Sequence, residues 1–148
     1  MRIAGTHHVA ILTPNLARLR AFYTERLGLP VVGGFADYDI IFIVAGNTTI
    51  ELEEQGPEER RGGPGNGSGW HHLALEVEDV DAAYAELLEQ GIPFDGPPQD
   101  FPPEAPSLRI AFFADPDGNT LELVQPLARP HQQPAGTGSL SGEPGSRG

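Results

Sequence analysis

Residues 5–13 read GTHHVAILT and residues 70–77 read WHHLALEV. Each stretch alternates with the period of two that marks a half-buried strand, with Val9 and Ile11 on one face and His8, Ala10 and Leu12 on the other. Where such a strand would normally carry another Val or Leu, His8 and His72 stand instead. The two histidines are 64 positions apart (72 − 8), and what surrounds them repeats as well.

After Thr13 and Pro14, the segment NLARLRAFYTERLG spaces Leu16, Leu19, Phe22, Tyr23 and Leu27 as one face of a helix, with Asn15 as its cap and Gly28 as its stop. From Leu29 to Glu54 the chain is rich in β-branched residues. It is interrupted at Gly33-Gly34 and at Ala45-Gly46-Asn47, a pattern that predicts three antiparallel strands. The second half follows the same order. HHLALEV matches the first strand, EDVDAAYAELLEQG predicts a helix capped by Asp79 and stopped by Gly91 with Val80, Ala83, Tyr84, Leu87 and Leu88 inward, and SLRIAFF and TLELVQP match the last strands. Leu16 and Val80 are also 64 apart, whereas Gly28 and Gly91 are 63 apart. Two copies of a βαβββ unit, an α+β fold, account for this registration. The expected units are 1–54 and 70–127, joined by a flexible linker over 55–69 whose sequence QGPEERRGGPGNGSG has little to bury. A Gly-, Pro- and Ser-rich tail over 128–148, containing His131, is expected to be disordered and is assigned no chemistry.

The 148 residues suffice for one shared core. No cysteine is present, which excludes disulfides, thiolate metal sites and a cysteine nucleophile. A net charge of −12 disfavours nucleic acid and acidic membrane surfaces as partners. The N-terminus lacks the basic start and apolar run of a secretion signal, and no apolar run approaches membrane-spanning length, so a cytoplasmic location is expected.

Applied to the outer strands, the alternation rule gives a common result. In TTIELEE, Ile50 and Leu52 point one way and Glu51 the other; in NTLELVQ, Leu121 and Leu123 flank Glu122 in the same manner. His8, Glu51, His72 and Glu122 therefore share a facing, opposite the side that a helix would cover. Any one of these residues would be ordinary alone. Their recurrence in corresponding places of two repeats points to a cation, because two carboxylates on one enclosed face repel each other unless something neutralises them. His7 and His71 fall on the opposite face and are read as supporting or peripheral residues.

The stretches HHVAILTPNLARLRAFYTERLGL, GNTTIELEE, WHHLALEVEDVDAAYAELLEQGI and FFADPDGNTLELVQP together resemble the vicinal oxygen chelate superfamily, which includes glyoxalase I, methylmalonyl-CoA epimerase, extradiol dioxygenases and the fosfomycin and bleomycin resistance proteins. The resemblance runs from about residue 3 to Pro126. It implies paired βαβββ modules curled into a cup around one divalent metal ion, Zn, Ni, Co, Mn or Fe, held by His8, Glu51, His72 and Glu122. It further implies a glyoxalase-type lyase or isomerase acting on a small α-oxygenated carbonyl substrate through a metal-stabilised enediolate, with Glu122 or Glu51 moving the proton. Glyoxalase I usually carries an Arg four residues after its first His; here that place is Leu12.

Two alternatives stand beside this reading. An extradiol-type dioxygenase would use Fe(II) held by His8, His72 and Glu122. A bleomycin-type protein would sequester a ligand in an aromatic groove, for which Trp70, Phe42, Tyr38, Phe101 and Phe113 are the available rings. Arg109, a charge inside the apolar run SLRIAFF, is a candidate to hold a substrate carboxylate. A homodimer is expected, with the site built in one chain or across two.

Overall fold

The computed structural model describes residues 1–2, 4–55 and 69–127. Two four-stranded mixed sheets carry the fold. The first contains β1 (Val9–Thr13), β2 (Val31–Phe35), β3 (Ile40–Ala45) and β4 (Thr48–Glu54), and the second contains β5 (Leu73–Glu76), β6 (Gln99–Phe101), β7 (Leu108–Ala114) and β8 (Thr120–Pro126). Strand orders are β1-β4-β3-β2 and β5-β8-β7-β6. In each sheet the first strand pairs in parallel with the last, and the remaining pairs are antiparallel. The expected α+β architecture and its internal repetition are both present. Positions 56–68 of the expected linker and the tail 128–148 lie outside the described residues. Among the described residues, no helix is long and apolar enough to cross a membrane.

Helix α1 spans Leu16–Ala21 and continues as a wider, π-type turn over Phe22–Arg26; α2 spans Val80–Glu89. Both begin as the sequence suggests. The Asn15 side chain accepts from the Arg18 N–H at 2.9 Å and the Asp79 side chain from the Ala82 N–H at 3.0 Å, each satisfying one orphan donor of a first turn. Both also end on a glycine with positive φ, Gly28 at 71° and Gly91 at 78°, where a side chain would meet steric strain. The closing hydrogen bonds explain why the repeat slips from 64 to 63. The Ile92 N–H reaches back to the Leu87 carbonyl at 3.0 Å, and the equivalent bond in the first repeat runs from the Leu29 N–H to the Tyr23 carbonyl at 3.0 Å, spanning one more residue. The π-type turn absorbs that extra residue without shifting either end of the helix.

One hydrophobic core is continuous across both repeats. Leu19, Tyr23, Ile43, Ile50 and Leu52 from the first half cluster with Val80, Leu87, Phe113, Leu121 and Leu123 from the second. Leu87 is 6% exposed and Leu88 42%, so of the expected inward pair only Leu87 enters the core; helical spacing places them about 100° apart, and the buried stripe of α2 is narrower than the sequence suggests. Gly33 and Gly34 do not interrupt the strands either, since both pair with β3 inside β2, and the chain reverses instead through a 3₁₀ turn at Ala36–Tyr38.

The two repeats are locked together on one side by polar contacts. Asp115 and Asp117, in the turn between β7 and β8, meet β1 and α1. The Tyr23 hydroxyl donates to Asp115 Oδ2 at 3.0 Å, the Thr13 hydroxyl donates to Asp117 Oδ2 at 2.6 Å, and the Arg18 guanidinium pairs with Asp117. Asp115 is buried and also accepts from the backbone N–H groups of Asp117 and Asn119 and from the Asn119 amide. At the corresponding place on the other side, Val77 and Leu87, each 64 residues after Thr13 and Tyr23, line with Gly46 and Asn47 a cavity of about 1030 Å³.

Burial, and then the neighbouring charge and hydrogen bond of Asp115, hold the Tyr23 hydroxyl protonated to well above the usual tyrosine range. A phenol whose pKa is raised on folding contributes stability that is complete below its unfolded pKa of about 10 and is lost as pH rises beyond it. Urea midpoints measured from pH 8 to pH 11 should therefore fall more steeply above about pH 10 in the wild type than in Tyr23→Phe. Equal slopes would show that this hydroxyl does not titrate with unfolding.

Candidate metal centre

The side chains on the face opposite the core come together as two equivalent clusters. His8 immediately precedes β1, and its Nε2 lies 3.6 Å from Glu51 Oε2 on the neighbouring β4. His72 immediately precedes β5, and its Nε2 lies 2.8 Å from Glu122 Oε2 on β8. The parallel pairing that sets Ala10 beside Glu51 and Ala74 beside Glu122 brings each histidine within reach of its carboxylate. Parity works as the sequence suggests, because Ile50 and Leu52, and Leu121 and Leu123, are buried on the helix side while the glutamates between them turn away.

Each pair is flanked by a phenylalanine in the same register. Phe42 stands opposite Glu51 and Phe112 opposite Glu122. The Phe42 ring meets His8 edge-on at 6.2 Å between centroids, and Phe112 meets His72 at 5.5 Å. Phe112 is the residue that reading from sequence misses. Of the adjacent pair Phe112 and Phe113, it is Phe113 that is buried in the core, and only the phase of β7, with Ala111 and Phe113 facing the helix, separates them.

The other expected site residues lie elsewhere. Trp70 is 97% exposed, and Tyr38, in the 3₁₀ turn, and Phe101, on β6, are exposed as well. Arg109 shares the phase of Ala111 and Phe113, and its guanidinium is occupied by Asp81 at the start of α2 (2.6 and 2.8 Å) and by Asp100 on β6 (2.8 Å). That ion pair explains the charge inside an apolar run: it ties α2 to the sheet. Arg109 sits on the opposite face from His72 and Glu122.

An imidazole nitrogen and a carboxylate oxygen each about 2.1 Å from a divalent ion stand about 3.0 Å apart at right angles and about 3.4 Å apart at the tetrahedral angle. The observed 2.8 and 3.6 Å bracket that range, so each pair fits half of a four-ligand site in donor type and spacing. The pairs do not merge. Among the described residues no three His, Asp or Glu side chains converge on one point, and β1 and β5 are edge strands of separate sheets, with no ladder joining them.

Two repeated βαβββ-type halves, each with a histidine at the start of its first strand and a glutamate in its last, define a duplicated fold with matched polar faces. The chain belongs to the Glyoxalase/Bleomycin resistance protein/Dioxygenase superfamily, whose family profile matches residues 5–123. It is similar to YwkD of Bacillus subtilis, with 33% identity over 84% of this chain and 99% of that protein. It is also similar to a 2-epi-5-epi-valiolone epimerase of Actinomyces sp, with 33% identity over 87% of this chain and 84% of that one. Among solved structures, a glyoxalase family protein from Enterococcus faecalis superposes with a TM-score of 0.67 and 29% identity, covering 84% of this chain and 100% of that chain.

Proposed function

We propose that this chain is a divalent-metal-dependent lyase or isomerase of the glyoxalase type, which moves a proton at the carbon beside a carbonyl in a small α-oxygenated substrate. The observation that carries the reading is the duplicated His–carboxylate pair, His8 with Glu51 and His72 with Glu122. These four residues would hold the ion, Zn, Ni, Co, Mn or Fe, with the repeats 1–54 and 70–127 each contributing half. When bound, a divalent ion supplies Lewis-acid polarisation of a carbonyl oxygen, which acidifies the neighbouring C–H. The chain's own groups do the rest. Glu122, the more buried carboxylate, is the first candidate to take the proton at Oε2 and return it, and Glu51 is the second. Phe42 and Phe112 wall each pair with an apolar ring, excluding water from that side and leaving a surface against which a substrate's carbon skeleton can rest. A homodimer belongs to the same proposal, since two copies offer a second way for the separate pairs to meet.

The similarity to an enzyme named as an epimerase supports proton transfer over ring cleavage. The test is solvent exchange. Protein reconstituted with Zn²⁺, Ni²⁺ or Co²⁺ is incubated in D₂O with hemithioacetals, α-hydroxy ketones and 2-epi-5-epi-valiolone, and deuterium at the α-carbon is read by NMR beside an oxygen electrode. Deuterium incorporation without oxygen uptake is expected. Oxygen consumption with catechols, confined to Fe²⁺, would replace the reading with the dioxygenase. Tight ligand binding without turnover of any substrate would replace it with sequestration.

A further inference from the structure

A histidine that binds a metal ion through Nε2 presents its lone pair there and carries its proton on Nδ1, and the group that accepts that proton fixes both tautomer and ring orientation. In each repeat a second histidine stands where such an acceptor is needed. His8 Nδ1 is 2.8 Å from His7 Nδ1, and His72 Nδ1 is 2.7 Å from His71 Nδ1. The rings are close to perpendicular in both cases, at 80° with 5.1 Å between centroids and at 85° with 5.0 Å. Meanwhile Nε2 of His8 and of His72 is directed at a glutamate. We propose that His7 and His71 are positioning residues: each accepts, at Nδ1, the N–H of the adjacent ligand histidine, holding its Nε2 lone pair toward the metal position.

Two contacting Nδ1 atoms cannot both carry a proton, so in each pair one ring donates at Nδ1 and the other accepts; with an ion held at Nε2, the ligand histidine is the donor. With the ligand histidine protonated at Nδ1, its neighbour is the Nε2–H tautomer, whose Nε2–H is left to solvent. His7 and His71 are exposed, and neither packs in the core, which leaves the ring–ring hydrogen bond as the feature their removal changes. Recurrence at the same place in both repeats speaks against a chance approach of neighbouring side chains.

The inference rests on the four-ligand reading, and the experiment separates the two. Zn²⁺ affinity is measured by competition with a chromogenic chelator for the wild-type chain, for His71→Phe, which keeps a ring but no acceptor, and for His71→Asn, whose carbonyl restores one. His71→Phe is expected to weaken Zn²⁺ binding by about 10–100-fold, the usual effect of removing a partner that orients a metal ligand, and His71→Asn to remain within about threefold of wild type. Thermal melts of the metal-free proteins control for folding. Wild-type affinity in His71→Phe, or His71→Asn as weak as His71→Phe, would overturn the proposal. In parallel, ¹⁵N spectra of histidine-labelled protein, metal-free and Zn²⁺-loaded, should show the His72 Nδ1 resonance moving in His71→Phe as its hydrogen bond is lost, with His72 Nδ1 protonated in the loaded wild type; an unmoved resonance in both forms, or an unprotonated Nδ1 in the loaded form, overturns the proposal by itself. Should the wild-type chain take up no divalent ion, the four-ligand reading fails, and these ring spectra still decide whether the two imidazoles are coupled.

Discussion

His72→Ala is expected to weaken divalent-metal binding by about 100-fold. Structural zinc sites with four protein ligands bind with about 10–16 kcal/mol, so an average ligand is worth about 3 kcal/mol, which corresponds to that factor. Glu122→Gln should fall in the same range, because it removes a charged donor from the 2.8 Å pair. His8→Ala should match His72→Ala, since the two halves supply the same donor types. Isothermal titration with Zn²⁺ after chelator stripping measures all three, and an unchanged stoichiometry and affinity in His72→Ala would remove it from the ligand set. Mixing His8→Ala with His72→Ala chains after partial unfolding adds a geometric answer. If the site is shared across a dimer, half of randomly reassorted dimers are mixed and each regains one of its two sites, about a quarter of wild-type stoichiometry. If it is built within one chain, the mixture regains nothing.

The second large effect concerns stability. Asp115→Ala should cost about 3–5 kcal/mol and lower Tm by on the order of 10 °C. This carboxylate is buried and accepts four hydrogen bonds, from the Tyr23 hydroxyl, two backbone N–H groups and the Asn119 amide. Truncation leaves all four donors without this acceptor, and the hydroxyl of fully buried Tyr23 has no water to replace it. Asp115→Asn keeps one carbonyl oxygen and should lose less. A differential scan showing Asp115→Ala within 2 °C of wild type would mean that the turn rearranges to satisfy those donors.

Much of this fold was legible because its signals are local and occur twice. The period of two in VAILT and LALE, the caps Asn15 and Asp79, and the stops Gly28 and Gly91 depend on neighbours within a few residues, and all appear in the structure. The glutamates were legible for the same reason, as polar residues out of phase with buried neighbours. What escaped depends on distance or on a choice between adjacent residues. Phe112 and Phe113 are chemically identical in sequence, and only the pairing of β7 with β8 assigns one to the core and the other to His72. Arg109 looked available because its partners, Asp81 and Asp100, are 28 and 9 residues away. The one-residue slip between the helices was visible as a number, but its form, a widened turn at Phe22–Arg26, follows only from the hydrogen bonds. That His8 and Glu51 remain apart from His72 and Glu122 was not legible at all, since alternation defines which face a residue is on and says nothing about how two sheets meet.

The duplication is also unequal where the halves touch. Tyr23 and Thr13 donate into Asp115 and Asp117, while their counterparts Leu87 and Val77 carry no side-chain donor and line a cavity together with Gly46 and Asn47. A repeated sequence therefore meets itself in two unlike ways, through hydrogen bonds into carboxylates on one side and through apolar side chains lining open space on the other, so the duplicated chain carries a latch at one seam and a gap at its counterpart.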